Sequence, residues 1–135
     1  KPLIVIDFGT ATTFDVVTSA VDFLGGSIAP GMIIASEALF RRTAMLPRIE
    51  LLRPKHAIGR NTVSAMQSGI LYGYIGLIEK IVKEISAELE AEPVVVSTGG
   101  HANMFADMVS AIQISNPNLS LIGLRLLHEM NTIER

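Results

Sequence analysis

The chain has 135 residues, 49% of them apolar and only 18% charged, with a formal net charge of -2. That length suits one compact domain with its own core, and basic residues scattered apart from Arg41–Arg42 argue against nucleic acid as a partner. Cysteine is absent, which removes disulfides and thiolate chemistry and fits a cytoplasmic setting; no uninterrupted apolar run of about 18 residues predicts a membrane span, so the apolar excess is read as interface.

Lys1 is followed at once by Pro2 and an apolar run, and the sequence reads as a piece of a longer protein. Leu3 to Ile6 is short, continuous and branched, the pattern of a buried strand. Thr12 to Thr18 is rich in β-branched residues and predicts a second strand. Ser19 to Asp22 predicts a turn and Phe23 to Ile28 a third strand, with Gly25–Gly26 marking a bulge or a close backbone approach. Three strands joined by short turns make an antiparallel meander. Pro30–Gly31 ends it, and the spacing of Ile33, Ile34, Ala38 and Leu39 predicts a helix over Met32 to Thr43.

Leu46 to Gly59 holds Pro47 and Pro54 and predicts an irregular crossing. Asn61 or Thr62 caps a long helix reaching about Glu90. Its stripe Leu71, Ile75, Ile78, Val82, Ile85, Leu89 is widened in the first half by Ile70, Tyr74, Leu77 and Ile81, so that half needs two neighbours. Gly69, Gly73 and Gly76 offer a surface that another backbone can approach, and Glu79–Lys83 has ion-pair spacing. Pro93 to Ser97 predicts a buried strand, Ala102 to Ser110 a helix, Ile112 to Ile114 a last strand and Leu119 to Met130 a terminal helix. The order predicts an α/β domain: an antiparallel meander extended by helix-connected strands into a mixed sheet. That is the pattern of ribonuclease-H-like domains, the halves of actin-like ATPases.

Three constellations carry candidate chemistry. Asp7-Phe8-Gly9-Thr10-Ala11-Thr12-Thr13 joins two strands through a tight turn. Gly9 permits the turn, successive N–H groups favour an anion, and Thr10 adds a hydroxyl. Asp7 is too negative to touch phosphate, so a cation or water belongs between them. An ordinary hairpin is an equal reading of that motif alone. Ser97-Thr98-Gly99-Gly100 ends a buried strand and opens a helix, where α/β sheets bind ligands; alone it reads first as a plain glycine-rich turn, and with the Asp7 turn as a two-sided nucleotide cleft. Gly59-Arg60-Asn61-Thr62 leads into the long helix, with capping as the default role and a polar substrate as the functional one. His56, His101 and His128 have no metal-ligand spacing: His101 reads as a helix start, the others as surface. Asp15 and Asp22 read as solvated turn carboxylates before an acid/base pair.

Four motifs, in order, span nearly the whole chain: Asp7-Phe-Gly-Thr-Ala-Thr-Thr-Phe-Asp15, Gly25-Gly-Ser-Ile-Ala-Pro-Gly31, Gly59-Arg-Asn-Thr-Val-Ser-Ala-Met-Gln-Ser-Gly69 and Ser97-Thr-Gly-Gly100. Together they resemble the type III pantothenate kinases, specifically the C-terminal ribonuclease-H-like domain of that two-domain enzyme. The resemblance implies phosphorylation of pantothenate by ATP with Mg2+, the first step of coenzyme A synthesis, in a cytoplasmic homodimer whose interface includes the long helix. It implies that Asp7 binds a monovalent cation, potassium or ammonium, that Gly9, Thr10 and Ala11 face ATP, that Gly99 and Gly100 lie on its nucleoside side, and that Thr62 contacts pantothenate. The family's first phosphate loop, Asp-x-Gly-Asn-Thr, and the aspartate base of its Gly-Ala-Asp-Arg motif have no counterpart in these residues. The resemblance therefore places the N-terminal domain and the base upstream of Lys1, and leaves the isolated segment inactive. A non-catalytic transcription accessory of the same fold, or a dimerisation module, are the alternatives.

Overall fold

The structure, a computed structural model, describes residues 1–132. Its strands are β1 (Leu3–Phe8), β2 (Ala11–Val17), β3 (Phe23–Pro30), β4 (Val94–Thr98) and β5 (Ile114–Ser115). The helices are α1 (Met32–Arg42), α2 (Thr62–Glu88), α3 (Ala102–Ala106) and α4 (Leu119–Thr132). The strands form one sheet in the order β3-β2-β1-β4-β5. β1, β2 and β3 pair antiparallel, whereas β4 lies parallel to both β1 and β5. The expected meander and mixed sheet are both present, in the ribonuclease-H-like arrangement.

Period-two alternation decides which face is covered. Ile4, Ile6 and Phe8 of β1 and Thr12, Phe14 and Val16 of β2 are buried, while the residues between them are half-exposed. α2 covers the buried face with Met66, Ile70, Leu71, Tyr74, Ile78 and Val82. Ile75 and Ile85 of the first stripe and Leu77 and Ile81 of the second pack, partly buried, around that core. Asn61 caps the helix reciprocally: its side chain accepts from the Ser64 N–H at 2.9 Å, and its own N–H donates to Ser64 Oγ at 3.2 Å. The ion pair on this helix is Lys80–Glu84, one residue on from the Glu79–Lys83 spacing. Gly69, Gly73 and Gly76 face open space within this chain.

The bulge falls where the Gly25–Gly26 pair predicted. Val16 pairs with Gly25 and Val17 with Phe23, so Leu24 is the extra residue. A β-carbon on Gly26 would run into the Phe14 carbonyl, the close approach its position implied.

Two elements are shorter or displaced. α3 ends at Ala106 rather than Ser110: beyond a last helical bond from Val109 N–H to Phe105 O, the Met108 and Ile112 N–H groups close tighter three-residue turns onto Phe105 O at 3.0 Å and Val109 O at 3.1 Å. β5 is Ile114–Ser115, set by Gln113 N–H donating to Val95 O at 3.0 Å and Asn116 N–H to Ser97 O at 2.8 Å. α4 buries no residue; Leu121, Leu124, Leu127 and Met130 are all exposed.

Candidate functional site

Strand register places three chain segments at one end of the sheet. Asp7 pairs with Thr98, Phe8 with Thr12, and Thr12 with Ala29, so β1, β3 and β4 all finish there. The residues that follow are Gly9–Thr10, Gly31 and Gly99–Gly100. Gly31 caps α1, and His101 caps α3, so two helix N-termini open at the same end. This is the carboxyl edge of the parallel strands, where α/β sheets bind ligands.

Within that edge the contacts are close. Gly99 has φ +95, and a β-carbon there would lie under 3.0 Å from Asp7 Oδ1 and 2.7 Å from Phe8 N and O. Asp7 Oδ1 is also 3.7 Å from the β-carbon position of Gly9. The carboxylate therefore sits between the two glycine turns. The next turn is fixed by His101 N–H donating to Phe8 O at 3.4 Å.

The hairpin tip is narrow. Gly9 N–H donates to Ala11 O at 3.1 Å, which commits that amide inside the turn rather than toward a ligand. Thr10 is exposed, and its hydroxyl makes no hydrogen bond among the described residues. Gly31 N–H donates to Thr10 O at 3.1 Å, and a β-carbon at Gly31 would collide with the Thr10 and Gly9 carbonyls. Gly31 was visible in the sequence only as a strand terminator. Its lack of a side chain lets the start of α1 lie flat against the Gly9–Thr10 turn.

Thr98 supplies a second unanticipated feature. It shares a sheet face with Asp7, its register partner on the neighbouring strand. Its hydroxyl is buried and has no hydrogen-bond partner among the described residues, as is that of Ser97. A buried hydroxyl left unpaired is costly and calls for a ligand, ion or water. Asp7 carboxylate and Thr98 hydroxyl are hard oxygen donors, which suit a hard cation and not a soft metal. Among the described residues no cluster of three or more His, Cys, Asp or Glu forms a transition-metal site.

Behind the hairpin, Tyr74 of α2 hydrogen-bonds to the Thr12 hydroxyl and packs with Phe8 and Phe105 at ring separations of 6.5 and 5.2 Å. Burial pushes the Tyr74 phenol above its usual range, and the bond to Thr12 and one to the Met32 backbone only partly offset it. Tyr74 thus ties the long helix to the strand leaving the turn.

The remaining sequence candidates are dispersed. Thr62 opens α2 and lines an apolar groove with Ala35, Leu39, Leu46 and Met66. It lies on the order of 18 Å along the helix from Tyr74 and is not part of the Asp7–Gly99 cluster. Asp15 accepts from Thr13 Oγ1 at 3.1 Å in mid-strand, and Asp22 closes the β2–β3 turn through Thr18, so they form no acid/base pair. A cavity of about 510 Å³ lies at the opposite end of the sheet, beside Pro2, Thr18 and Glu88, away from the Asp7, Thr62 and Gly99 turns.

The chain is similar to known proteins over nearly its whole length. The type III pantothenate kinase family model matches residues 1–84. A type III pantothenate kinase from Geobacillus thermodenitrificans is 52% identical over 132 residues, 98% of this chain and 51% of that protein. One from Brevibacillus brevis is 53% identical over 130 residues, 96% of this chain and 51% of that protein. The chain spans about half the length of these curated relatives. Among solved structures, one described as a Baf family transcriptional activator from Campylobacter jejuni superposes with a TM-score of 0.68 at 23% identity, covering 96% of this chain and 58% of that one. That likeness is one of fold. With the family match extending from β1 through most of α2, and over half of all positions shared with some relatives, the chain belongs to the type III pantothenate kinase family.

Proposed function

We propose that this chain forms one wall of the nucleotide cleft in a cytoplasmic enzyme that phosphorylates pantothenate with ATP, the first step of coenzyme A synthesis. The observation that carries the reading is the Asp7 carboxylate held between the Gly9 and Gly99 turns at the carboxyl edge of the sheet. In this reading the exposed Thr10 hydroxyl and the Gly9–Ala11 turn face the phosphates of Mg2+-ATP, and the Gly99–Gly100 backbone approaches the nucleoside. Asp7, with the Thr98 hydroxyl beside it, holds potassium or ammonium. Such a cation supplies positive charge next to the phosphates, the main requirement of phosphoryl transfer. Thr62 binds pantothenate. The aspartate that takes the pantothenate hydroxyl proton, and the first phosphate loop, belong to an N-terminal domain, residues 1–135 being the C-terminal one. The exposed apolar stripe of α4 and the open glycine face of α2 support a homodimer.

Thermal melts test the wall directly. Mg2+-ATP in potassium buffer should raise the melting temperature of the chain, and Thr10→Ala should remove the rise. A chain indifferent to ATP contradicts the reading. The transcriptional role named for the Campylobacter jejuni protein is disfavoured here, since that likeness rests on fold alone.

A further inference from the structure

The irregular segment between α1 and α2 carries four basic side chains within eight residues, from Arg53 to Arg60. Arg53, Lys55, His56 and Arg60 line one cavity of about 370 Å³ together with Ser64 and Gln67 from the first turns of α2. Lys55, His56 and Arg60 also line an adjoining cavity of about 780 Å³ against Ile58 and Tyr72. No acidic residue lines either space. The ion pairs among the described residues leave out Arg53, Lys55 and Arg60. Other basic residues are engaged elsewhere: Arg41 pairs with Glu37, and Arg48 stacks on Phe40 at 5.0 Å.

The pocket is built rather than draped. Gln67 donates to Glu50 O at 2.8 Å and Ser68 Oγ donates to Ala57 O, which pins the segment at two points on α2. Gly59 lies so close to the helix that a β-carbon there would strike the Ala65 backbone. That contact fixes the chain directly before Arg60. The helix beneath adds to the field, because its first turn carries no acidic residue to offset the positive end of its dipole. Like charges held together without partners repel one another, a cost that an anion removes.

We propose that this pocket binds a phosphate-bearing small molecule with two or more negative charges, its apolar part resting on Ile58 and Tyr72. The three permanent cations favour a diphosphate over a single carboxylate, which would leave two of them uncompensated. Neither Gly9–Ala11 nor Gly99–Gly100 lines the pocket, so the site does not depend on the nucleotide cleft proposed above.

Amide chemical-shift titration of the chain with inorganic pyrophosphate tests it. Saturable shifts should concentrate in residues 53–67, weaken with added salt and exceed in affinity those from orthophosphate. Lys55→Glu and Arg60→Glu should each weaken binding at least tenfold, and Arg42→Glu should leave it unchanged. Should the reversal variants fail to fold, the wild-type shift map decides alone. No saturable binding, shifts confined to the 9–11 and 99–101 turns, equal affinity for orthophosphate, or wild-type binding by both folded reversal variants would each overturn the proposal.

Discussion

Asp7 Oδ1 occupies the space that a side chain at Gly99 would need. Two turns far apart in sequence thereby meet, and a side chain cannot be added at residue 99 without displacing the Asp7 carboxylate. Gly99→Ala adds a clash to a left-handed backbone, so it should destabilise the chain by about 1–3 kcal/mol in urea unfolding. Gly100 meets nothing within 4 Å, and Gly100→Ala should stay within about 0.5 kcal/mol of wild type. Equal effects at the two glycines would contradict the geometry.

Tyr74 couples α2 to the strand behind the hairpin. Tyr74→Phe leaves the buried Thr12 hydroxyl without its partner and should cost about 1–3 kcal/mol. The double variant with Thr12→Val should recover much of that loss, which a double-mutant cycle will register. Because burial raises the phenol above its usual value, the folded state favours the protonated form. Its contribution is complete below pH of about 10 and is lost as pH rises through the folded value. Alkaline unfolding of the Tyr72→Phe chain, followed by tyrosine absorbance, should show the Tyr74 phenol ionising late and with unfolding.

Val21 is an exposed, β-branched residue at φ 71 in the β2–β3 turn. That conformation suits glycine. Val21→Gly should raise stability by about 1 kcal/mol, read from the denaturant midpoint at constant slope.

The long helix carries three glycines whose added methyl groups would meet nothing in this chain. Gly73→Ala should therefore stabilise the isolated fold by roughly 0.5–1 kcal/mol through helix propensity. If the glycine face meets a second copy, the same substitution should weaken self-association in sedimentation. A stabilised chain whose association is unchanged would remove this face from the interface.

Much of this was legible in the residues because local rules and tertiary structure agree. The β-branched runs, the Gly25–Gly26 bulge and the Asn61 cap each settle their own neighbourhood, and the order of elements then restricts the topology. α3 was overextended because apolar spacing continues through Met108 and Val109, while the backbone there tightens into three-residue turns at Met108 and Ile112. The close approach of Gly31 to the Gly9–Thr10 turn and the pairing of Thr98 with Asp7 were not legible, since both depend on strand register. The basic pocket escaped for a similar reason. Arg53, Lys55 and Arg60 counted among dispersed basic residues and His56 as surface, and only the clamps at Gln67 and Ser68, which fold their segment onto α2, make a cavity of them.

The central claim is that Asp7 serves the cleft through a monovalent cation. The most direct measurement is the rate of pantothenate phosphorylation by an intact enzyme carrying this domain, with potassium or ammonium present and absent, for wild type and Asp7→Ala. The account predicts a cation-dependent wild type and a variant that loses both activity and cation response. A fully active Asp7→Ala enzyme with an unchanged response to potassium would contradict it.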